Sequence, residues 1–233
     1  MALSREQVID TAVRLLDEVG LEALSLRRVA RELGVSAPTL YWHVTDKRAL
    51  LDHVAERLLA DQWLAITPAA GQAWWEWLHE RALAQYRALV GHRDAALVVA
   101  GNRPTPTSLP AVDAVVGTLV AGGFTAPEAF RAIIIVGNFV IGSAVEYHAE
   151  RARPSPAPVE PDAGGPDPDA FPHLAAVLDA GHVAGPAGAD HEALVAEGLD
   201  LLIGGLRARG VVLDPAQPGS PTEVAAASAT WSK

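Results

Sequence analysis

The 233-residue chain contains no cysteine. That excludes a disulfide framework, a thiol nucleophile and thiolate metal sites together. It also lacks any sustained period-two alternation of apolar and polar residues bounded by turns, the pattern of a half-buried strand. Long apolar runs are scarce: the longest, Ala132 to Val145, spans about fourteen residues and contains Asn138, where a membrane-crossing helix needs about 20. No basic stretch followed by an apolar run opens the chain, so neither a signal peptide nor a membrane partner is expected. There is no internal repeat, no GxSxG, no Gly-rich phosphate loop, and no His–carboxylate pair at the spacing of a catalytic helix. An enzyme is not expected, and no cofactor. Glu146 and His148 are two apart and fall on nearly opposite sides of a helix. His173, His182 and His191 have no ligand spacing either, so no metal site is expected.

Charge of one sign is also in short supply. Eighteen basic residues face twenty-eight acidic ones, a net −10, which by itself argues against a nucleic-acid partner. Its distribution argues the other way. Residues 25 to 48 carry Arg27, Arg28, Arg31, Lys47 and Arg48 against Glu32 and Asp46, five minus two, or +3. Residues 1 to 48 balance seven basic against seven acidic groups, so the rest of the chain carries the whole deficit. A locally basic module on an acidic body can still meet phosphates within a Debye length of about 8–10 Å. The body then discourages non-specific adhesion to DNA.

Half of the residues are hydrophobic, enough for a sizeable core, and almost every segment reads as helix. Ser4 followed by Gln7 forms a capping signature ahead of Val8, Ile9, Ala12, Val13, Leu15, Leu16 and Val19, with Gly20 as the stop. Ser25 opens a second helix that Gly34 ends, and Ser36 a short third with Pro38 tolerated in its first turn. Asp46 caps a fourth, expected to run to about Trp63. Further helices are expected at roughly 72–91, 94–100, 107–122, 126–150, 168–181 and 188–209. The expected organisation is a small domain over 1–48 and a larger one over 49–209, with 49–64 as a connecting helix and 153–169 as a mobile Pro/Gly/Asp-rich loop. Residues 210–233, rich in Ala, Ser and Pro, read as a flexible tail.

The segment "LRRVARELGVSAPTLYWHV" is the recipe of a helix-turn-helix. Ala30 lets two helices approach, Gly34 supplies a positive φ, and Leu33, Val35 and Leu40 bury the junction. Exposed on the second helix would be Ser36, Ala37, Thr39, Tyr41, Trp42 and His43, whose hydroxyls reach phosphates or base edges and whose methyls and rings pack on thymine methyls. Ser25, Arg27, Arg28 and Lys47 flank this face. The alternative is that Tyr41 and Trp42 merely pack between helices.

These residues carry a resemblance. Residues 4 to 60, through "VIDTAVRLLDEVGLEALSLRRVARELGVSAPTLYWHVTDKRALLD", resemble the DNA-binding end of the tetracycline-repressor (TetR) family of bacterial transcriptional regulators. "PTLYWHV" with "DKRALL" is similar to the branch containing the tetracycline repressor itself. "GHRDAALVVAGNRPTPT" and "VGNFVIGSAVEYHAE" are similar to stretches around that branch's ligand site. The resemblance implies an all-α, cytoplasmic homodimer with an N-terminal three-helix, helix-turn-helix domain and a larger ligand-binding and dimerisation domain. Each small domain would enter one half-site of a palindromic double-stranded DNA operator, and a small-molecule effector in the body would change the spacing of the two recognition helices. Arg27, Thr39, Tyr41, Trp42, His43 and Lys47 occupy DNA-contacting positions of the family, while Ala37 departs from a Gln.

The resemblance also implies an effector cavity bounded by Trp63, Gln85, Val99, Arg103, Pro104, Val112, Val115, Phe130, Ile134, Asn138 and Glu146. It is mainly apolar with a few polar anchors, suited to a flat or elongated, largely hydrophobic molecule. Val99 stands where the branch grips drug-bound magnesium with a His, and a methyl-tipped side chain cannot coordinate a metal. Trp63, Arg81 and Gln85 replace a His, an Asn and a Phe. The expected function is a repressor released by something other than magnesium-tetracycline; a tetracycline-responsive repressor and an activator of the same build are the alternatives. Trp63 could instead pad the joint between domains, Glu146 could be a solvated carboxylate, and Val112, Val115 and Ile134 could be plain core. Trp74, Trp75 and Trp77 are expected to pack beneath the DNA-binding domain, or else to wall a ligand. The glycines at 137, 142, 198, 204 and 205 lie inside two apolar helices, where each costs about 0.5–1 kcal/mol relative to Ala, and point to close helix contact across a four-helix dimer interface.

Overall fold

The structure, a computed structural model, describes residues 3–60, 67–153, 167–179 and 191–210. Those residues form ten helices and no strand: α1 (Arg5–Ala23), α2 (Leu26–Glu32), α3 (Ala37–Leu40), α4 (Lys47–Leu58), α5 (Trp74–Gly91), α6 (Ala95–Val99), α7 (Leu109–Ala121), α8 (Ala126–Arg151), α9 (Pro172–Asp179) and α10 (His191–Gly210).

Local chemistry sets the helix starts. Ser4 Oγ accepts from the Gln7 amide at 3.1 Å while Gln7 Oε1 accepts from the Ser4 amide at 2.9 Å, a closed capping box. Asp46 Oδ1 accepts from the Ala49 amide at 2.8 Å and starts α4. Glu128 accepts from both the amide (2.9 Å) and the hydroxyl (2.6 Å) of Thr125 and starts α8. Gly20 breaks the first helix where expected, at φ +79°, ψ 169°, and a further turn continues beyond the break to Ala23. α4 ends at Leu58, short of the expected reach to Trp63, which lies outside the described residues.

Val8, Ala12, Leu15 and Leu16 of α1 pack against Leu50, Val54 and Ala55 of α4, and Leu24, Val29, Leu40 and Val44 close this small core. Burying one such leucine contributes about 1.5–3 kcal/mol. The body is built on α5 and α8, with α10 against both, α7 against α8, and α6 wedged between α4 and α8. The apolar run read as too short for a bilayer lies inside the 26-residue α8, which is long and apolar enough to cross one by length and composition. In this fold Ala129, Ala132, Val136, Val140 and Ala144 of that helix are buried among its neighbours. Segments 154–166 and 211–233, expected as loop and tail, lie outside the described residues.

Candidate nucleic-acid interface and effector site

The turn between α2 and α3 depends on Gly34, at φ +66°, a conformation other residues rarely adopt. Around it the Val35 amide donates to Ala30 O at 3.0 Å and the Gly34 amide to Arg31 O at 3.2 Å, so the chain reverses within hydrogen-bonding distance of α2. Leu40 is fully buried and anchors α3 to the core. Tyr41 and Trp42 follow it and point away from the core, 56% and 87% exposed. Ser36 is exposed, Ala37, Thr39 and His43 are half-buried, and the Ser36 and Thr39 hydroxyls bond each other at 2.8 Å.

The flanking cations divide. Arg27 is exposed. Arg28 Nη1 donates to Ala23 O at 3.4 Å, and Lys47 Nζ donates to Leu21 O at 3.1 Å. These two were expected where DNA-backbone contacts or a guanine contact would be made; here they donate to carbonyls at the end of α1, which have no helical partner. Ser25 is likewise used locally, its Oγ accepting from the Arg28 amide at 3.3 Å.

Sequence reasoning missed the joint between the two cores. The carboxylate of Asp17 accepts from the Arg93 amide at 3.1 Å and lies 2.9 Å from His92 Nδ1. Asp94 Oδ2 accepts from the Leu21 amide at 2.8 Å. From α4, Arg48 Nη2 donates to Gly101 O at 2.7 Å, while Glu56 accepts from the Thr105 amide at 2.8 Å and its hydroxyl at 3.0 Å. The small domain is thus tied to the body on both sides of α6.

The expected effector residues are spread over α5, α6, α7, α8 and the α6–α7 connection. Gln85 is half-buried on α5, Val99 buried at the end of α6, and Val112 half-buried and Val115 buried on α7. Arg103 and Pro104 are exposed in the α6–α7 connection. Phe130, Ile134, Asn138 and Glu146 are all exposed on α8 rather than enclosed, because the single chain leaves that part of α8 bare. Trp63 lies outside the described residues. Arg81, half-buried on α5, places its guanidinium 5.8 Å from the Trp77 ring, and burial lowers its pKa.

The tryptophans are not beneath the DNA-binding domain. They occupy the first turn of α5, and it is the far end of that helix, at His92 and Arg93, that meets α1. Trp74 packs edge-on against Phe124 at 5.0 Å and fills the space beside Gly122, while Arg207 of α10 lies 4.2 Å over Trp75.

His191, expected to lie in or near the mobile region, is buried at the start of α10. Its Nδ1 is hydrogen-bonded to the Tyr86 hydroxyl, and Tyr147 lies 5.5 Å from its ring. Burial first, then Tyr147 and Glu192, pushes Tyr86 up to about 12. Burial lowers the pKa of His191, against an opposing pull from Glu146. The signal for Tyr86 was in the sequence: Leu78, Ala82, Tyr86 and Leu89 mark one apolar stripe of α5, and all four are buried. Among the described residues no group of three or more potential ligands could hold a metal ion.

Residues 8–54 match the family described as bacterial regulatory proteins, tetR family, and residues 67–209 match the tetracyclin repressor-like C-terminal domain. The tetracycline repressor protein class D of Escherichia coli is 39% identical over 160 residues, covering 69% of this chain and 73% of that protein. The class A repressor protein from transposon 1721 of the same species is 36% identical over 213 residues, covering 91% and 94%. A point variant of TetR from Acinetobacter baumannii AYE, solved in complex with minocycline, superimposes with a TM-score of 0.70 at 33% identity, over 93% of this chain and all of that one.

Proposed function

The chain belongs to the tetR family of bacterial regulatory proteins, which are transcriptional regulators and not enzymes, and on that footing we propose that it is a homodimeric repressor of a palindromic operator, acting in the cytoplasm and released by a small, largely apolar effector. The observation that carries this reading is the placement of Tyr41 and Trp42, held outward by a buried Leu40 just past a two-helix turn. Large rings exposed to this degree have no packing role within the subunit, and a second helix of this kind is the element that enters the major groove.

Two copies are supported by what the single chain leaves uncovered. Phe130, Ile134 and Ile135 of α8 and Leu194 and Leu201 of α10 are exposed. A Cβ built at Gly137, Gly142, Gly204 or Gly205 meets nothing within 4 Å, whereas at Gly198 it meets the Phe139 ring of the same chain. Four of the five glycines therefore have room for a partner's backbone. Phe171, just before α9, and Leu174 and Val177 on it present further apolar surface.

Release requires that effector binding alter the relation of the two small domains. α4 is the connecting part: it packs on α1 and on α6, and Arg48 and Glu56 bind the α6–α7 connection. An effector stabilises the non-binding arrangement only through higher affinity for it, and DNA must weaken the effector by the same factor. Val99 is a buried apolar side chain at the end of α6, which supports an effector held without a metal ion. The minocycline complex of the similar A. baumannii protein favours the second reading, a tetracycline-type effector.

Selection of bound sequences from random duplex DNA, followed by gel shifts, tests the operator. Palindromic sites retained by two subunits are expected; absence of any preferred sequence overturns the reading. Titration with tetracycline and magnesium separates the two effector readings: submicromolar binding selects the second.

A further inference from the structure

We propose that the first turn of α10 is a proton-sensitive fastening: protonation of His191 releases it from α5 and α8 and so weakens the pairing of two subunits. This rests on the two-subunit reading above and adds to it a second regulator, the proton, distinct from the effector.

The fastening lies where three helices meet. His191 is the first residue of α10 and only 6% exposed. Among the described residues it and Tyr86 are the only titratable side chains so deeply buried. Its ring lies 5.5 Å from that of Tyr86 on α5, with 26° between the planes, and the Tyr147 ring of α8 is also 5.5 Å away. Its Nδ1 is hydrogen-bonded to the Tyr86 hydroxyl. One residue on, Glu192 accepts from Arg87 Nε at 3.1 Å and from Nη2 at 2.6 Å. Consecutive residues of α5 thus hold consecutive residues of α10. Leu194, three residues after His191, is exposed, and so is Leu201 two turns further on. The apolar side assigned to a partner subunit therefore starts one turn from the fastening.

Three features oppose a positive charge at His191. Burial strips water from the ring and lowers its pKa. The ring stands at the N-terminus of a 20-residue helix, whose unpaired amides already set up a positive potential. Protonation also makes both ring nitrogens donors, so the Tyr86 hydroxyl can then only accept. The surrounding charges offset little of this. On α8, Glu146 pulls the other way but is exposed, and His148 donates through Nε2 to Leu89 O at 3.2 Å. Glu192 on α10 and Arg87 on α5 are paired with each other. Tyr86 and Tyr147 contribute aromatic surface. The released turn therefore takes up a proton more readily than the fastened one, and acid favours release.

Sedimentation of the full-length protein at pH 7.5 and at pH 5.5 tests this. DNA is left out so that His43, on the operator face, does not enter the reading. A released imidazole with the unperturbed pKa of about 6.5 favours protonation about elevenfold at pH 5.5. With one His191 in each subunit, the dimer dissociation constant should rise tenfold or more, while far-ultraviolet circular dichroism shows the helical content retained. His191→Gln offers Tyr86 an amide oxygen and cannot titrate, so its dissociation constant should change far less between the two pH values. Tyr86→Phe deletes the hydrogen bond and should weaken association already at pH 7.5. A dimer whose association ignores pH, or an equal acid response in His191→Gln, overturns the switch and leaves the two-subunit reading standing. Dissociation accompanied by loss of helical content overturns it in favour of global unfolding. A protein monomeric at every pH overturns the switch together with the reading it rests on.

Discussion

The backbone amide of Leu21 donates to the carboxylate of Asp94 at 2.8 Å, across the joint between the small domain and the body. The carbonyl of the same residue accepts from Lys47 at 3.1 Å, so Leu21 links the N-cap of α6 to the first residue of α4. Gly20 makes this approach possible. Its φ of +79° and ψ of 169° belong to a region essentially reserved for glycine, and a Cβ there would lie 2.8 Å from Asp94 Oδ2 and 3.0 Å from Arg93 Nε. Gly20→Ala is expected to destabilise the protein by roughly 2 kcal/mol, within the range for such strain. Urea unfolding should show a lower midpoint with an unchanged slope.

Tyr41 and Lys47 were read from the sequence as equivalent DNA contacts, and the structure separates them. Tyr41→Ala removes an outward ring and should leave the melting temperature within about 2 °C of wild type, since surface changes usually stay within about 0.5 kcal/mol. Operator binding should nonetheless fall roughly tenfold, as for a base-contacting group worth about 1–3 kcal/mol. Lys47→Ala also deletes the bond to Leu21 O, so it should lower both the melting temperature and operator affinity. Gel shifts paired with thermal scans distinguish the two; equal behaviour of both variants would contradict the assignment.

Much of the fold was legible because its determinants are local. Ser4 with Gln7, Asp46 before Ala49, and Gly34 after Leu33 each act within four residues, and each does in the structure what its position in the chain requires. The joint was not legible, because Glu56 with Thr105 and Asp17 with His92 are contacts between segments far apart in the chain, with no periodicity to announce them. The tryptophans failed for a related reason. Helical spacing placed Trp74 and Trp77 near one face of α5 but could not say which end of α5 meets α1. The α8 residues of the expected effector site were read as lining, yet in one subunit none of them is enclosed. Which surface covers them is a property of the assembly and not of the local sequence.

The contact of Tyr86 with His191 makes stability depend on pH from both sides. Burial lowers the His191 pKa, so the unfolded chain binds the proton more readily, and stability should fall as pH drops below about 6.5, the unperturbed value. Tyr86 is raised to about 12, so the folded form holds its proton more tightly, and stability should fall as pH rises from about 10. Melting temperatures from pH 5.5 to 7.5 should slope less steeply in His191→Gln than in wild type. In Tyr86→Phe the alkaline change should differ from wild type, because the phenol that titrates there is gone. Slopes unchanged in both variants would mean that neither group titrates with folding.

Leu201 is 74% exposed on α10, seven residues after the exposed Leu194, so two turns of the helix carry a leucine each on one side with no intrachain cover. Neither is explained by the fold of one subunit, and isolated exposure at this level in an apolar helix is best accounted for by a second copy. Leu201→Arg places a charge on that side without disturbing the buried positions Val195, Leu199 and Ile203 that fasten α10 to α5 and α8. The variant should therefore keep its helical content and melt cooperatively, yet sediment as a monomer at micromolar concentration. Operator affinity should fall by more than tenfold, because a palindrome then engages one half-site module at a time and the gain from linking two is lost. A dimeric Leu201→Arg protein with wild-type operator affinity would place the subunit interface elsewhere on the body.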